Sequence, residues 1–377
     1  MTHIISGLGQ GGAENALYQL LSHQSSSINS TVISLTGLGV YGKSLNQMGI
    51  PVVTLNMPDG QINFSGLVRL WKELRNNKPN IVQTWMYHAD LIGGVIARLA
   101  GCKHVFWGIV HFNLDRAVTK PSTRFVAKLC ALSSAFIPYK IISCAFAAVD
   151  KHVLFGYKKN QFIVIPLGYD LSQIEHSPQS KLAIKSSYHI PENQIVVGCV
   201  ARWHPQKDHR NLFLALNALK NDRQDWVCVL IGPGMTEENK ELTSLLEEIG
   251  LGEPQILRMG IVENINDAYS AMDLFVLPSC GEAFPNVLAE AMACELPCVA
   301  TDVGDTRLII ADTGWIVPAK TPLSLAAAIS EAMTSFGDTQ SWKERKSRCR
   351  LAIENNFSIL RTVRLYEEAW QISDRFK

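Results

Sequence analysis

Two glutamates eight residues apart, Glu282 and Glu290, stand in the stretch EAFPNVLAE. Glu282 falls in a loop after the apolar run LFVLP, and Glu290 lies about one turn or more inside the alanine-rich helix that follows. That spacing predicts two carboxylates reaching one crevice from different depths. Carboxylates suit paired sugar hydroxyls, because each oxygen accepts hydrogen bonds. Between them Phe284, Pro285, Asn286, Val287 and Leu288 form the loop and the helix start, where backbone amides and the helix dipole favour an anionic phosphate.

A second cluster sits in VARWHPQKDH, where a strand end delivers Arg202 and, five residues later, Lys207. Two cations at one strand-to-helix turn suit a diphosphate that gains charge as its bond to a sugar breaks. His204 lies between them as a neighbour. Near the start, Gly7, Gly9 and Gly12 satisfy the G-x-G-x-x-G spacing of a dinucleotide-binding turn. Such a turn needs an acidic residue about twenty positions on, at the end of the second strand, to hold ribose hydroxyls. Here that strand, STVISLTGLG, runs out into Leu35, Thr36 and Gly37 with no carboxylate. What survives is an open helix start at Gly11 and Gly12, whose N–H groups suit an anion or make only a tight turn. Two histidines, His88 in VQTWMYHAD and His111 in FWGIVHFN, each follow a strand, and taken singly each suits a structural place more than a catalytic one.

These residues need elements that end where they begin. Short β-branched runs such as HIIS, STVISLT, NIVQTW and HVFWGIV alternate with amphipathic segments, and IVVGCVAR, WVCVLIG, LFVLPS and PCVATD repeat the pattern. Alternation of this kind predicts parallel sheets covered on both faces, with ligands beyond the carboxyl ends of the strands. A polar stretch around residues 168–193 separates the halves. The expected organisation is a first Rossmann-like domain over 1–170, a linker over 171–193 and a second Rossmann-like domain over 194–355. A terminal helix over 356–377 is expected to pack back on the first domain through Leu360, Val363, Leu365, Tyr366 and Trp370. At 377 residues there is ample chain for two cores.

Composition excludes several classes. A net charge of +1 gives no general reason for nucleic-acid binding. Nine cysteines without a C-x-x-C pair read as core residues in a reducing compartment, not as a disulfide or zinc framework. No basic start followed by an apolar core marks a leader, and the apolar run Leu129–Val149 is broken by Pro138, Tyr139 and Lys140 at its middle. A cytoplasmic chain is expected. Residues 116–140 carry Arg116, Lys120, Arg124, Lys128 and Lys140 among apolar and neutral residues, a face for anionic lipid or simply for water.

The string EAFPNVLAEAMACELPCVATDVG, with Glu282 and Glu290 as E-x7-E, resembles glycosyltransferase family 4, whose members have the GT-B fold. The likeness runs from GLGQGGAEN to the final helix. It implies two doubly wound α/β domains facing a central cleft and retaining transfer of a hexose or N-acetylhexosamine from a nucleotide sugar, UDP-linked by default. The first glutamate then lies by the transferred sugar with His111 helping to position it, and the second holds the ribose. Arg202 and Lys207 meet the diphosphate, which Gly11 and Gly12 face from the other domain, and Val262 lines the nucleobase pocket. No D-x-D occurs, so no metal or other cofactor is expected. The acceptor implied is a lipid-linked glycan of bacterial surface polysaccharide synthesis, reached at the inner face of the cytoplasmic membrane. A sugar-nucleotide epimerase on the same fold, or a non-catalytic nucleotide-sugar-binding subunit, stands as the alternative. One departure is Leu167 in PLGYD, where the family often has a turn-forming Asn.

Overall fold

The computed structural model describes residues 1–58, 60, 63–110, 114 and 119–371. The chain divides into two compact units, Met1–Gly168 with Ile359–Lys377, and Tyr169–Ser358. His111 and Arg116 lie outside the described residues.

In the first unit seven strands form one parallel sheet: β1 (Thr2–Ile5), β2 (Thr31–Ser34), β3 (Val52–Thr54), β4 (Ile81–Trp85), β5 (His104–Ile109), β6 (Lys140–Ser143) and β7 (Phe162–Val164). Their order is β3-β2-β1-β4-β5-β6-β7. Strand order therefore reverses between β1 and β4, which leaves a crevice at their carboxyl ends. Helices α1 (Gly12–Ser22) and α4 (Tyr87–Leu99) start from that end, directly after β1 and β4. The run Leu129–Val149 is not a continuous span: it closes α5 (Pro121–Ser133), crosses β6 and opens α6 (Phe146–Phe155).

The second unit repeats the plan with six parallel strands, β8 (Ile195–Val200), β9 (Trp226–Ile231), β10 (Ile256–Gly260), β11 (Leu274–Leu277), β12 (Cys298–Thr301) and β13 (Trp315–Val317). Their order is β10-β9-β8-β11-β12-β13, so the reversal falls between β8 and β11. Every residue of β8 and β9 is buried, as expected for strands covered by helices on both faces. The segment expected as a linker carries helix α7 (Pro178–Ser187), which packs on α10 (Ile265–Ala271).

The last described helix belongs to the first unit. Helix α15 (Ile359–Gln371) buries Ile359, Val363, Tyr366, Ala369 and Trp370 in the same cluster as Ile5, Trp85 and Phe106. Leu360, expected on that face, is instead exposed, because the helix begins at Ile359 and turns that residue inward. All nine cysteines are free thiols.

Candidate functional site

The switch point of the second unit brings together one cation and one carboxylate that the sequence singles out, Lys207 and Glu282. After β8 the chain passes Arg202 and makes a 3-10 turn over Pro205–Lys207. After β11 it makes the loop 278–285 and then helix α11 (Asn286–Ala293). The loops are laced together: the Cys280 N–H donates to the Gln206 carbonyl at 2.8 Å. This brings Lys207 and Glu282, 75 positions apart, to a 2.6 Å ion pair. The pair is largely shielded, at 21% and 13% side-chain exposure, so its geometry is held more tightly than a surface pair's. The Ser279 hydroxyl donates to the same Glu282 oxygen at 2.8 Å. Arg202 is exposed and makes no hydrogen bond or ion pair among the described residues, which leaves its guanidinium available to an anion.

Glu290 lies deeper. Its carboxylate accepts from the buried Tyr269 hydroxyl at 2.9 Å. Burial raises the Glu290 carboxyl above its ordinary range, and the Tyr269 hydrogen bond partly offsets this. Glu282 and Glu290 are thus held by separate partners, one at the loop and one inside the helix.

Phe284, Pro285 and Leu288 are buried, so these residues offer backbone and not side chains. Phe284 stacks on Tyr169 at 6.5 Å and meets Phe357 edge-on at 5.2 Å. The Tyr169 hydroxyl donates to the Asn286 side-chain oxygen at 2.8 Å, fixing the first residue of α11. No side chain caps this helix, and the Leu288 N–H already donates to the Pro285 carbonyl at 3.1 Å, so of the expected amides those of Asn286 and Val287 are left for a ligand. Val262 follows β10 and is half-buried.

Sequence reading missed the supports. Ser279, Tyr269 and Tyr169 each orient a named residue but carry no spacing signal of their own. Gly304 does carry one, in DVGD after β12. Its φ is +57°, and a Cβ there would collide with the carbonyl oxygens of Glu282 and Ala283. The Asp305 N–H then donates to Ala283 at 2.9 Å, pinning the loop that presents Glu282.

In the first unit, Gly11 caps α1 in an extended conformation without a side-chain bond, and a Cβ on Gly12 would meet open space. The Glu14 carboxylate lies against Gly11. Beside these glycines a cleft of about 720 Å³ opens at the β1/β4 reversal, and His88 is part of its wall. Burial lowers the His88 imidazole, favouring its neutral form.

Comparison with known proteins accounts for both halves. Residues 10–173 match the model of Glycosyltransferase Family 4, and residues 194–335 match that of Glycosyl transferases group 1. EpsF of Bacillus subtilis is 25% identical over 350 residues, covering 87% of this chain and 84% of its own. The UDP-Gal:alpha-D-GlcNAc-diphosphoundecaprenol alpha-1,3-galactosyltransferase of Escherichia coli is 24% identical, covering 80% of this chain and 77% of its own. Among solved structures, Anabaena Alr3699/HepE in complex with UDP superposes with a TM-score of 0.81 at 21% identity over 98% of both chains. WaaG, a glycosyltransferase involved in lipopolysaccharide biosynthesis, superposes with a TM-score of 0.69 at 15% identity over 99% of both.

Proposed function

The chain belongs to glycosyltransferase family 4 and has the GT-B fold, and we propose that it moves a hexose or N-acetylhexosamine from a UDP-sugar to a sugar hydroxyl of a lipid-linked glycan. The setting is bacterial surface-polysaccharide or lipopolysaccharide synthesis. The observation that carries this reading is the Lys207–Glu282 pair beside the uncapped start of α11, with Glu290 on the same helix. A solved neighbour is bound to UDP-glucose, and a relative's name specifies a diphosphoundecaprenol-linked acceptor. Both properties agree with it. Nothing in the comparisons favours an epimerase or a non-catalytic subunit.

In this reading Glu290 holds the ribose hydroxyls and Val262 meets the nucleobase through its backbone. Arg202, Lys207 and the α11 amides of Asn286 and Val287 take the diphosphate, without a metal ion. In the first unit, Gly11 and Gly12 offer backbone N–H groups to an anion once the Glu14 carboxylate turns away from Gly11. Glu282 orients the hexose, with His111 as a second positioning residue. The C1–O bond to phosphate breaks as charge grows on the departing oxygen. The acceptor oxygen attacks C1 from the same face and gives its proton to that phosphate oxygen, so configuration is retained and no covalent sugar–enzyme bond forms.

The acceptor's lipid places the reaction at a membrane surface. No helix among the described residues is long and apolar enough to cross one. We assign the contact to α5 and the turn after it, where Phe125, Leu132 and Phe136 are exposed beside Lys120, Arg124, Lys128 and Lys140.

Thermal denaturation tests the donor assignment. A UDP-sugar should raise the melting temperature, unchanged by EDTA, and Glu290→Ala should abolish the rise. A rise with NAD(P) alone that persists in Glu290→Ala would overturn it.

A further inference from the structure

The cleft at the β1/β4 reversal of the first unit is built from parts that select for charge. Among the described residues Glu14 is the one acidic side chain that lines it, and no lysine or arginine does. The remaining polar surface among the described residues is neutral: the hydroxyls of Ser6 and Thr36, the imidazole of His88 and the backbone of the glycine turns. The Ser6 Oγ is buried without a hydrogen-bond partner, an unmet polar group beside the opening. Met57 and Ile92 supply apolar wall, which suits the C–H face of a pyranose ring. The volume, about 720 Å³, lies in the range of small-molecule sites.

His88 is placed there at a conformational cost. Met86, between β4 and α4, has φ +71° and ψ 159°, a region that side chains other than glycine avoid. The Met86 N–H donates to the Gly108 carbonyl at 2.8 Å and its own carbonyl accepts from the Asp90 N–H at 2.8 Å, so both neighbours hold the strained residue. This reversal of direction puts His88 in the first turn of α4 and in the cleft wall.

We infer that this cleft seats the uncharged sugar ring of the acceptor, and that Glu14, which lines it together with Ser6 and His88, makes it select neutral sugars over uronic acids and other anionic ones. The inference deepens the transferase reading, because it names the chemical class of the acceptor's terminal unit. The carboxylate of Glu14 accepts hydrogen bonds from a pair of hydroxyls, and His88 and Ser6 each have donor and acceptor capacity for the others. A second carboxylate brought within about 4 Å of Glu14 meets about 1 kcal/mol of repulsion even at the dielectric of water, which is about fivefold in affinity.

Saturation-transfer NMR on the full chain tests this with methyl glucoside, methyl N-acetylglucosaminide and methyl glucuronide as probes. At least one neutral glycoside should bind, and the glucuronide should bind about fivefold more weakly or worse. Glu14→Gln should narrow that gap by strengthening glucuronide binding. Ile92→Trp, which fills the cleft, should abolish neutral-glycoside binding while UDP-sugar stabilisation of the same sample shows that the second unit is intact. Three results would each overturn the inference: equal binding of glucuronide and glucoside, no binding by either neutral glycoside, or a gap unaffected by Glu14→Gln. The donor reading fails separately, through loss of UDP-sugar stabilisation in the native chain.

Discussion

At the scale of single residues, Glu290 sets stability against binding. Its carboxyl is raised by burial, so ionising it in the folded chain costs free energy that the unfolded chain avoids. As pH rises past the ordinary glutamate range the unfolded chain gives up this proton first. Stability then falls until the folded carboxyl ionises too, and the deficit persists above that point. Glu290→Gln keeps an acceptor for the Tyr269 hydroxyl and removes the charge. The variant should therefore melt higher than the native chain at neutral pH and match it in acid. It should also bind a UDP-sugar about tenfold more weakly or worse, since a hydrogen bond to a charged group is worth about 1.5–3 kcal/mol. Calorimetry at two pH values, with titration of the UDP-sugar, reads both effects. A variant that lost stability without losing affinity would place Glu290 in the fold's support and not in the site.

Elements explain what was legible in the sequence and what was not. The long interior strands announce themselves as apolar runs because both faces are covered, and the turns at their carboxyl ends carry the glutamates, Arg202 and Lys207. The short edge strand β13 was not legible: WIV is three residues with no period to read. Nor could spacing pair Lys207 with Glu282 across 75 positions, because that contact is made by strand order, β8 beside β11. The charge pattern over 116–140 was visible, yet it left open whether water or lipid covers it. The structure adds exposed rings to that pattern: Phe136 is 80% and Phe125 65% exposed, with Leu154 of α6 at 84%. Arg124 and Lys128 lie over the Phe155 ring at 5.3 and 5.5 Å, which keeps both cations beside that apolar group. Sedimentation with vesicles containing phosphatidylglycerol should carry the protein down at low salt, and neutral phosphatidylcholine vesicles should not. Since each basic residue near such a surface contributes about 1 kcal/mol, Arg124→Glu with Lys128→Glu should weaken binding at least about tenfold. Sedimentation with neither lipid would return this face to solvent, and equal sedimentation with both would remove the role of its charges.

For the molecule as a whole, the first unit is completed only when the last helix returns to it. Trp370 of α15 donates from Nε1 to the buried Gln83 side-chain oxygen at 3.2 Å, and its ring meets His3 edge-on at 5.8 Å. His3 on β1 accepts from Trp85 Nε1 at 3.3 Å through Nδ1, so its proton sits on Nε2, which has no partner. A fully buried imidazole in this position cannot take up a second proton cheaply. Burial first, and the N-terminal amine second, push it down to about 3. The sign follows from the unfolded value near 6.5. Above it, both states are neutral and the contribution is complete. As pH falls from 6.5 toward 3 the unfolded chain binds a proton that the folded chain refuses, and stability is lost on the order of 3 kcal/mol by pH 4. Urea denaturation at pH 7 and pH 4 measures this against His3→Gln, whose side chain does not titrate. The native chain should lose more stability over that interval than the variant, by about that amount. Identical acid losses would mean that His3 ionises freely in the folded state. The contacts that carry α15 onto the sheet would then have to open at a pH where the structure holds them shut.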